Sequence, residues 1–128
     1  MNKIENYHKA VEQLAQAVQA FQSAPDDTLY RDGLIQRFEF TFELAWKSAR
    51  EYLQDQGIVV PVATPRAVFK QAYAVGILDA QEPWLHILDA RNLTSHVYDE
   101  DAAIDVANLI CTEFLPVFQQ LDHFYCAQ

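Results

Sequence analysis

RDGLIQRFEFTFELAWKSAREYLQDQG, residues 31–57, decides the fold. Ile35, Phe38, Phe42, Ala45, Ala49 and Tyr52 recur at steps of three and four, the spacing of one face of an α-helix. Phe40, Leu44 and Leu53 fall off that stripe, so the helix is apolar over more than one face and has to pack against two neighbours. Gly57 suits the left-handed residue that ends a helix, because it has no Cβ to clash there. A helix of this kind is the central element of a helical bundle, and it argues against a lone monomer.

The same rhythm continues on both sides. Upstream, Ile4, Tyr7, Val11, Leu14, Val18 and Phe21 form one stripe on a long first helix. SAPDD, residues 23–27, breaks it, and Asp26, Asp27 or Thr28 can cap the second helix through a side-chain oxygen. Downstream, Thr64 and Pro65 read as the N-cap and first position of a short third helix holding Val68, Phe69, Ala72 and Tyr73 and stopping near Gly76. A short fourth helix begins at residues 81–83 and carries Trp84, Leu85 and Leu88. The last helix starts at Asp99, Glu100 or Asp101 and has the stripe Ala103, Ala107, Ile110, Phe114, Val117, Leu121 and Phe124, with Pro116 inside it as an expected kink. Two-residue alternation is not sustained anywhere. The expected fold is therefore all-α, an antiparallel up-and-down bundle of three long and two short helices formed by residues 1–128 as one domain.

Composition narrows the function. The chain has 128 residues, 51% of them hydrophobic, which is enough for a real core. It has no apolar run near the roughly 18 residues of a membrane span and no secretory leader pattern, so a cytoplasmic location without membrane association is expected. Nine Lys and Arg stand against 18 Asp and Glu, for a formal charge of -9. Such a surface repels a phosphate backbone, and any nucleic-acid contact must be local or shared with a more basic partner. Cys111 and Cys126 have neither metal-ligand spacing nor the density of a disulfide scaffold, and both are expected as free thiols. His8, His86 and His123 are scattered without HxxxH or HExxH spacing, so neither a metal nor another cofactor is expected.

One stretch interrupts the apolar pattern. DARNLTSHVYDE, residues 89–100, gathers Arg91, Asn92, His96 and Tyr98. On a continuous helix Arg91 and His96 would point about 140° apart. Thr94 and Ser95 weaken the helix and offer local bonds to its backbone, so a helix end at residues 93–96 lets the chain turn and bring His96 back towards Arg91. A guanidinium matches phosphate oxygens with a planar fork of donors, and an imidazole moves a proton near neutral pH. The pair suffices for metal-free cleavage of an RNA phosphodiester, with Asn92 orienting either group. Equally, an isolated Arg and His at a helix end can be solvated or can serve the last carbonyls of the helix, and Tyr98 can be a half-buried aromatic.

Arg91 to Tyr98, RNLTSHVY, resembles the Rx4HxY motif of HEPN domains. Residues 31–57 resemble the second-helix signature of small bacterial proteins called nucleotidyltransferase substrate-binding, and TPRAVFKQAYAVGILDAQEPWLHILDARNLTSH, residues 64–96, resembles the segment that follows it in them. The resemblance implies a helical bundle that forms homodimers, with Arg91 and His96 of both subunits at one cleft, and similarity to the helical domain of kanamycin nucleotidyltransferase. It implies assembly with a minimal nucleotidyltransferase, often as a toxin and antitoxin pair in which the HEPN member is an RNase. Arg91 and His96 would then be catalytic, Asn92 would support them, and Tyr98 would accept AMP from the partner. The alternative from a different class is a non-catalytic subunit that binds a nucleotide or another substrate for the nucleotidyltransferase. A third reading is a dimeric bundle without a ligand.

Outside the motif, Arg37 and Lys47 either line the cleft or contact the partner, or else they are surface residues of the second helix, where Glu43 and Lys47 have ion-pair spacing. Trp84 is a core or interface anchor, suited to a partner surface if exposed. The chain has no glycine-rich phosphate loop and no Gly-Ser with paired aspartates, so it is not itself a nucleotidyltransferase.

Overall fold

The computed structural model describes residues 2–96 and 98–128, and among these there are helices and turns but no strand. Helix α1 spans Lys3–Ser23, with the Asn2 side chain accepting the Glu5 N–H at 2.8 Å. Helix α2 spans Thr28–Asp55, and of the candidate caps it is Asp27 that accepts the Leu29 and Tyr30 N–H groups. Its end is a Schellman turn: Gly57 has φ +79°, its N–H bonds the Gln54 carbonyl, and Ile58 N–H reaches Leu53. Helix α3, Pro65–Ala74, is capped by Thr64 and closes with the same turn, Gly76 at φ +86° bonding Tyr73 and Ile77 bonding Ala72. Helix α4 spans Glu82–Leu93, α5 spans Glu100–Leu109 and α6 spans Leu115–Cys126, with a π turn at Ile110–Phe114 joining the last two.

Pairs between α1 and α2 run in opposite order: Lys3 meets Glu51, the Ala10 carbonyl meets Thr41, and the Gln13 carbonyl meets Arg37. Pairs between α2 and the C-terminal helix climb together, from Arg31 with Glu100 through Phe38 with Phe114 to Tyr52 with Gln128. Helix α4 runs against α6, with Trp84 on Phe118 and His86 on Phe114. The result is the expected up-and-down bundle, in which α3 and α4 return the chain between two helices of the same direction.

Aromatic rings hold its centre. Phe38 stacks on Phe114 at 5.7 Å and meets Phe118 edge-on at 6.0 Å. Trp84 lies 4.9 Å from Phe69 and 5.6 Å from Phe118 and is 1% exposed. Trp84 is therefore a core anchor and not a partner contact, which corrects one of its two sequence readings. Buried hydroxyls are bonded: Tyr7 donates to the Phe118 carbonyl at 2.7 Å, and Ser48 lies 2.9 Å from the Tyr125 hydroxyl. Burial raises both tyrosine pKa values well above that of an ordinary phenol.

Three further expectations change. The last stripe continues through Phe118, Leu121 and Tyr125, with Val117 and Phe124 only partly buried. The π turn explains this, because Leu115 N–H bonds Ile110 and the extra residue rotates all that follows by about 100°. It lies just before Pro116, whose missing donor falls in the first turn of α6, so the disturbance takes the form of a widened turn. Tyr73, placed on the core stripe of α3, is exposed. On α2, Leu53 is buried and Leu44 packs on the core, but Phe40 is 61% exposed. Among the described residues no helix is long and apolar enough to cross a membrane.

Trp84→Ala should lower the free energy of unfolding by about 3–5 kcal/mol, because the cavity it leaves is walled by Phe69 and Phe118. Urea denaturation measures it; a variant of unchanged stability would put Trp84 back on a partner surface.

Candidate functional site

The motif sits at the corner where α4 ends and α5 begins. Helix α4 stops at Leu93, and Thr94–His96 make one tight 3-10 turn. Thr94 Oγ1 lies 2.7 Å from the Arg91 carbonyl, and Ser95 Oγ donates to the Asn92 carbonyl at 2.9 Å. Short hydroxyl side chains thus occupy carbonyls that a continuing helix would need, which is why the helix ends here. Asp99 restarts it by accepting the N–H groups of Asp101 and Ala102, while its own N–H bonds the His96 carbonyl at 2.9 Å. Val97, inside the motif, lies outside the described residues.

The corner divides the motif into two groups. Arg91 turns inward to α2: its Nη1 is 3.0 Å from Glu39 Oε2 and donates to Thr94 Oγ1 at 2.8 Å. Thr94 is buried, and its single proton serves either the Arg91 carbonyl or Glu39 Oε2 at 3.2 Å. Arg91 Nε is buried without a hydrogen-bond partner, an unmade bond that leaves the guanidinium incompletely satisfied. The second group faces solvent. His96 Nδ1 lies 3.1 Å from the Tyr98 hydroxyl, the two rings meet edge-on at 5.8 Å, and Tyr98 is 83% exposed. Asn92 is exposed, and its backbone carbonyl accepts from Ser95 Oγ.

The helix end and restart therefore fall where the sequence puts them, and the expected return of His96 towards Arg91 does not take the form of a hydrogen bond. Among the described residues no hydrogen bond joins the two side chains within one chain. Glu39 holds the arginine instead. Sequence reasoning missed Glu39 as a site residue, and no local signal marks it, since it lies on a different helix far along the chain from Arg91.

Arg37 and Lys47 lie elsewhere. Arg37 Nη1 donates to the Gln13 carbonyl at 2.9 Å and ties α2 to α1. Lys47 pairs with Glu43 at 3.5 Å and lies over the Trp46 ring at 5.7 Å. It borders a groove of about 390 Å3 with Lys9, Phe40 and Leu44. Both side chains are exposed on the surface of α2.

Comparison with known proteins places this arrangement. Residues 2–126 match the family described as nucleotidyltransferase substrate binding protein like. The chain belongs to that family. A family relative from Haemophilus influenzae, named probable ribonuclease HepT, is 33% identical over 87 residues, which are 66% of this chain and 59% of that protein. Two solved structures share the fold. One, from Thermus thermophilus, has a TM-score of 0.79 at 30% identity over 90% of this chain and 94% of its own. The other, from Haemophilus influenzae, is described as revealing the fold of a substrate binding domain of a nucleotidyltransferase. Its TM-score is 0.83 at 25% identity, over 98% of this chain and 99% of that one.

The Glu39–Arg91 pair is partly solvated, so a double-mutant cycle of Glu39→Gln and Arg91→Gln should give a coupling of about 0.5–1 kcal/mol that shrinks as salt is raised. Chemical denaturation of the four proteins measures it; zero coupling at low salt would mean that Glu39 does not hold the arginine.

Proposed function

We propose that this chain is a HEPN-type ribonuclease that acts as a homodimer, is toxic when free, and is neutralised by a minimal nucleotidyltransferase that attaches AMP to Tyr98. The supporting observation is the corner itself: Arg91 in the last turn of α4, with His96 and Tyr98 exposed just beyond the helix end, in a chain whose relative carries a ribonuclease name. Pairing two chains about this corner would let Arg91 of one approach His96 of the other. It would also concentrate positive charge that one chain, at a net -9, does not offer.

The chemistry needs no metal step. His96 takes the proton of a ribose 2′-hydroxyl, and the oxygen attacks the adjacent phosphorus. Arg91 stabilises the charge that develops on the phosphorane oxygens, and Asn92 orients the reacting groups. The P–O5′ bond then breaks, the departing oxygen is protonated by the second His96 or by water, and the products are a 2′,3′-cyclic phosphate and a 5′-hydroxyl. Tyr98 is 83% exposed and its hydroxyl adjoins His96, so AMP transferred there from ATP, with pyrophosphate leaving, would block the imidazole sterically and place a phosphate against it. An exposed phenol beside an imidazole also suits an acceptor that has to enter another protein's active site.

The second reading is a non-catalytic subunit that binds a nucleotide for the nucleotidyltransferase, with Arg91 and His96 as phosphate ligands. The acidity of the chain favours it, as does the structure described as a nucleotidyltransferase substrate binding domain. In either case the partner would be a nucleotidyltransferase.

On the ribonuclease reading, Arg91→Ala and His96→Ala each reduce RNA cleavage by at least about 100-fold, and a chelator leaves the wild-type rate intact. Tyr98→Phe keeps cleavage but loses the AMP increment in intact mass seen on coexpression with the nucleotidyltransferase. Absence of cleavage together with calorimetric binding of ATP or AMP would overturn the ribonuclease in favour of the binding subunit.

A further inference from the structure

At the other end of α1, His8 is joined to α6. Its Nδ1 lies 2.9 and 3.0 Å from the two oxygens of Asp122, and its Nε2 contacts Glu12, one turn along α1. Cys126 follows Asp122 by four residues, so its thiol projects from the same face of α6. A nitrogen of His8, an oxygen of Asp122 and the sulfur of Cys126 all lie within 4.8 Å of one another. We propose that these three side chains form a site for a thiophilic divalent cation of the Zn2+ class, clasping the start of α1 to the end of α6.

The donor set selects the ion. One imidazole, one carboxylate and one thiolate match the ligands that Zn2+ takes in a tetrahedral shell and are poor partners for Mg2+ or Ca2+, which prefer oxygen alone. In a zinc shell, bonds of about 2.0–2.3 Å set neighbouring donors roughly 3.3–3.8 Å apart. Modest side-chain rotation has to open the 2.9 Å between His8 Nδ1 and Asp122 and bring all three donors, now within 4.8 Å of one another, to that spacing, and His8 and Cys126 are exposed enough to rotate.

The imidazole is oriented for this use. Nδ1 faces Asp122, while Nε2–H can donate to Glu12, the outer carboxylate that commonly fixes a metal-bound histidine. The proton now shared between His8 and Asp122 would leave to solvent as the cation enters, and the Cys126 thiol would lose its own.

The scaffold beneath is firm. Tyr7, next to His8, donates to the Phe118 carbonyl at 2.7 Å and meets Tyr125 edge-on at 5.8 Å, so the two helices are locked together directly under the ligands. A cavity of about 360 Å3 opens over them, bounded also by Ile4, Glu5, Lys9 and Tyr125, with space for a water as fourth ligand. The site is remote from Arg91 in the chain and independent of the proposed ribonuclease chemistry. Its role would be to brace the helix ends.

Untagged full-length protein, stripped with chelator and kept reduced with a phosphine, is titrated with Co2+, whose thiolate charge-transfer absorption reports a cobalt–sulfur bond. The expected result is one Co2+ per chain with that absorption, displacement by Zn2+, and a rise in melting temperature with either ion. Cys126→Ser should abolish the absorption. His8→Ala and Asp122→Asn should weaken binding by at least about tenfold, Glu12→Gln by about tenfold, and His86→Ala not at all. Selective alkylation of Cys126 in the folded protein repeats the test without a substitution, since burial raises the pKa of the half-buried Cys111 and slows its reaction. Lack of a charge-transfer band in the wild type, or binding unchanged in His8→Ala and Cys126→Ser, would reduce the cluster to a surface ion network and overturn the proposal.

Discussion

The contact on which the rest of the bundle depends is the packing of Phe38 between Phe114 and Phe118. It joins the middle of α2 to the last residue of the π turn and to α6 beyond it, so it fixes the rotation of the C-terminal helix as well as its distance. A straight α-helix carrying Ile110 and Phe114 inward would continue through Val117 and Phe124. The additional residue of the π turn brings Phe118 and Tyr125 inward instead. Phe118 then closes on Trp84, and Tyr125 on Tyr7 and Ser48. A widened turn breaks the regular hydrogen-bond ladder, and the aromatic burial it permits outweighs that small loss.

The same packing positions the corner. Trp84, locked between Phe69 and Phe118, sets the start of α4, and the helix carries Arg91 two turns further to the level of Glu39 on α2. The side chain that would act on a phosphate is thus held by a rigid element, whereas His96 and Tyr98 stand beyond the helix end. An arginine fixed by α2 and α4 and an imidazole on the connecting turn differ in freedom, and in the proposed homodimer that difference would leave the site to be completed by the second chain.

Most helix limits were legible in the sequence because they are local chemistry. Asp27, Thr64 and Asp99 cap with their own side chains, Gly57 and Gly76 take positive φ, and Thr94 and Ser95 bond back to the helix they end. The stripe of α2 was legible for the same reason, whereas the second apolar face expected to include Phe40 leaves that ring exposed. What escaped depends on contacts between distant segments. Pro116 announces a disturbance in the last helix, but nothing nearby says that it becomes an inserted residue. Trp84 reads equally well as core or interface until Phe69 and Phe118 are seen around it. Glu39 is one of several charged residues on α2 until the fold sets it against Arg91. His8 lacks a second ligand anywhere near it in sequence, and Asp122 with Cys126 is only an i,i+4 pair until α1 is laid beside α6.

The Glu39 contact bears directly on the acidity of the chain. In a single chain the Arg91 charge is largely compensated by a carboxylate 3.0 Å away, so the corner presents no isolated positive site to a polyanion. A phosphate has to replace Glu39 or share the guanidinium with it. The exchange is favourable only where the phosphate takes two donors at once, because a bidentate pair gains both energy and orientation over the single contact that Glu39 makes. On the ribonuclease proposal, nonspecific attraction along an RNA backbone would contribute little against a net charge of -9, and correctly placed phosphates would be selected over merely nearby ones. For the proposed ribonuclease this means weak binding of bulk RNA combined with a demanding geometry at the scissile group. The acidic surface and the nuclease reading are compatible on that condition, and the carboxylate that sets the condition is Glu39.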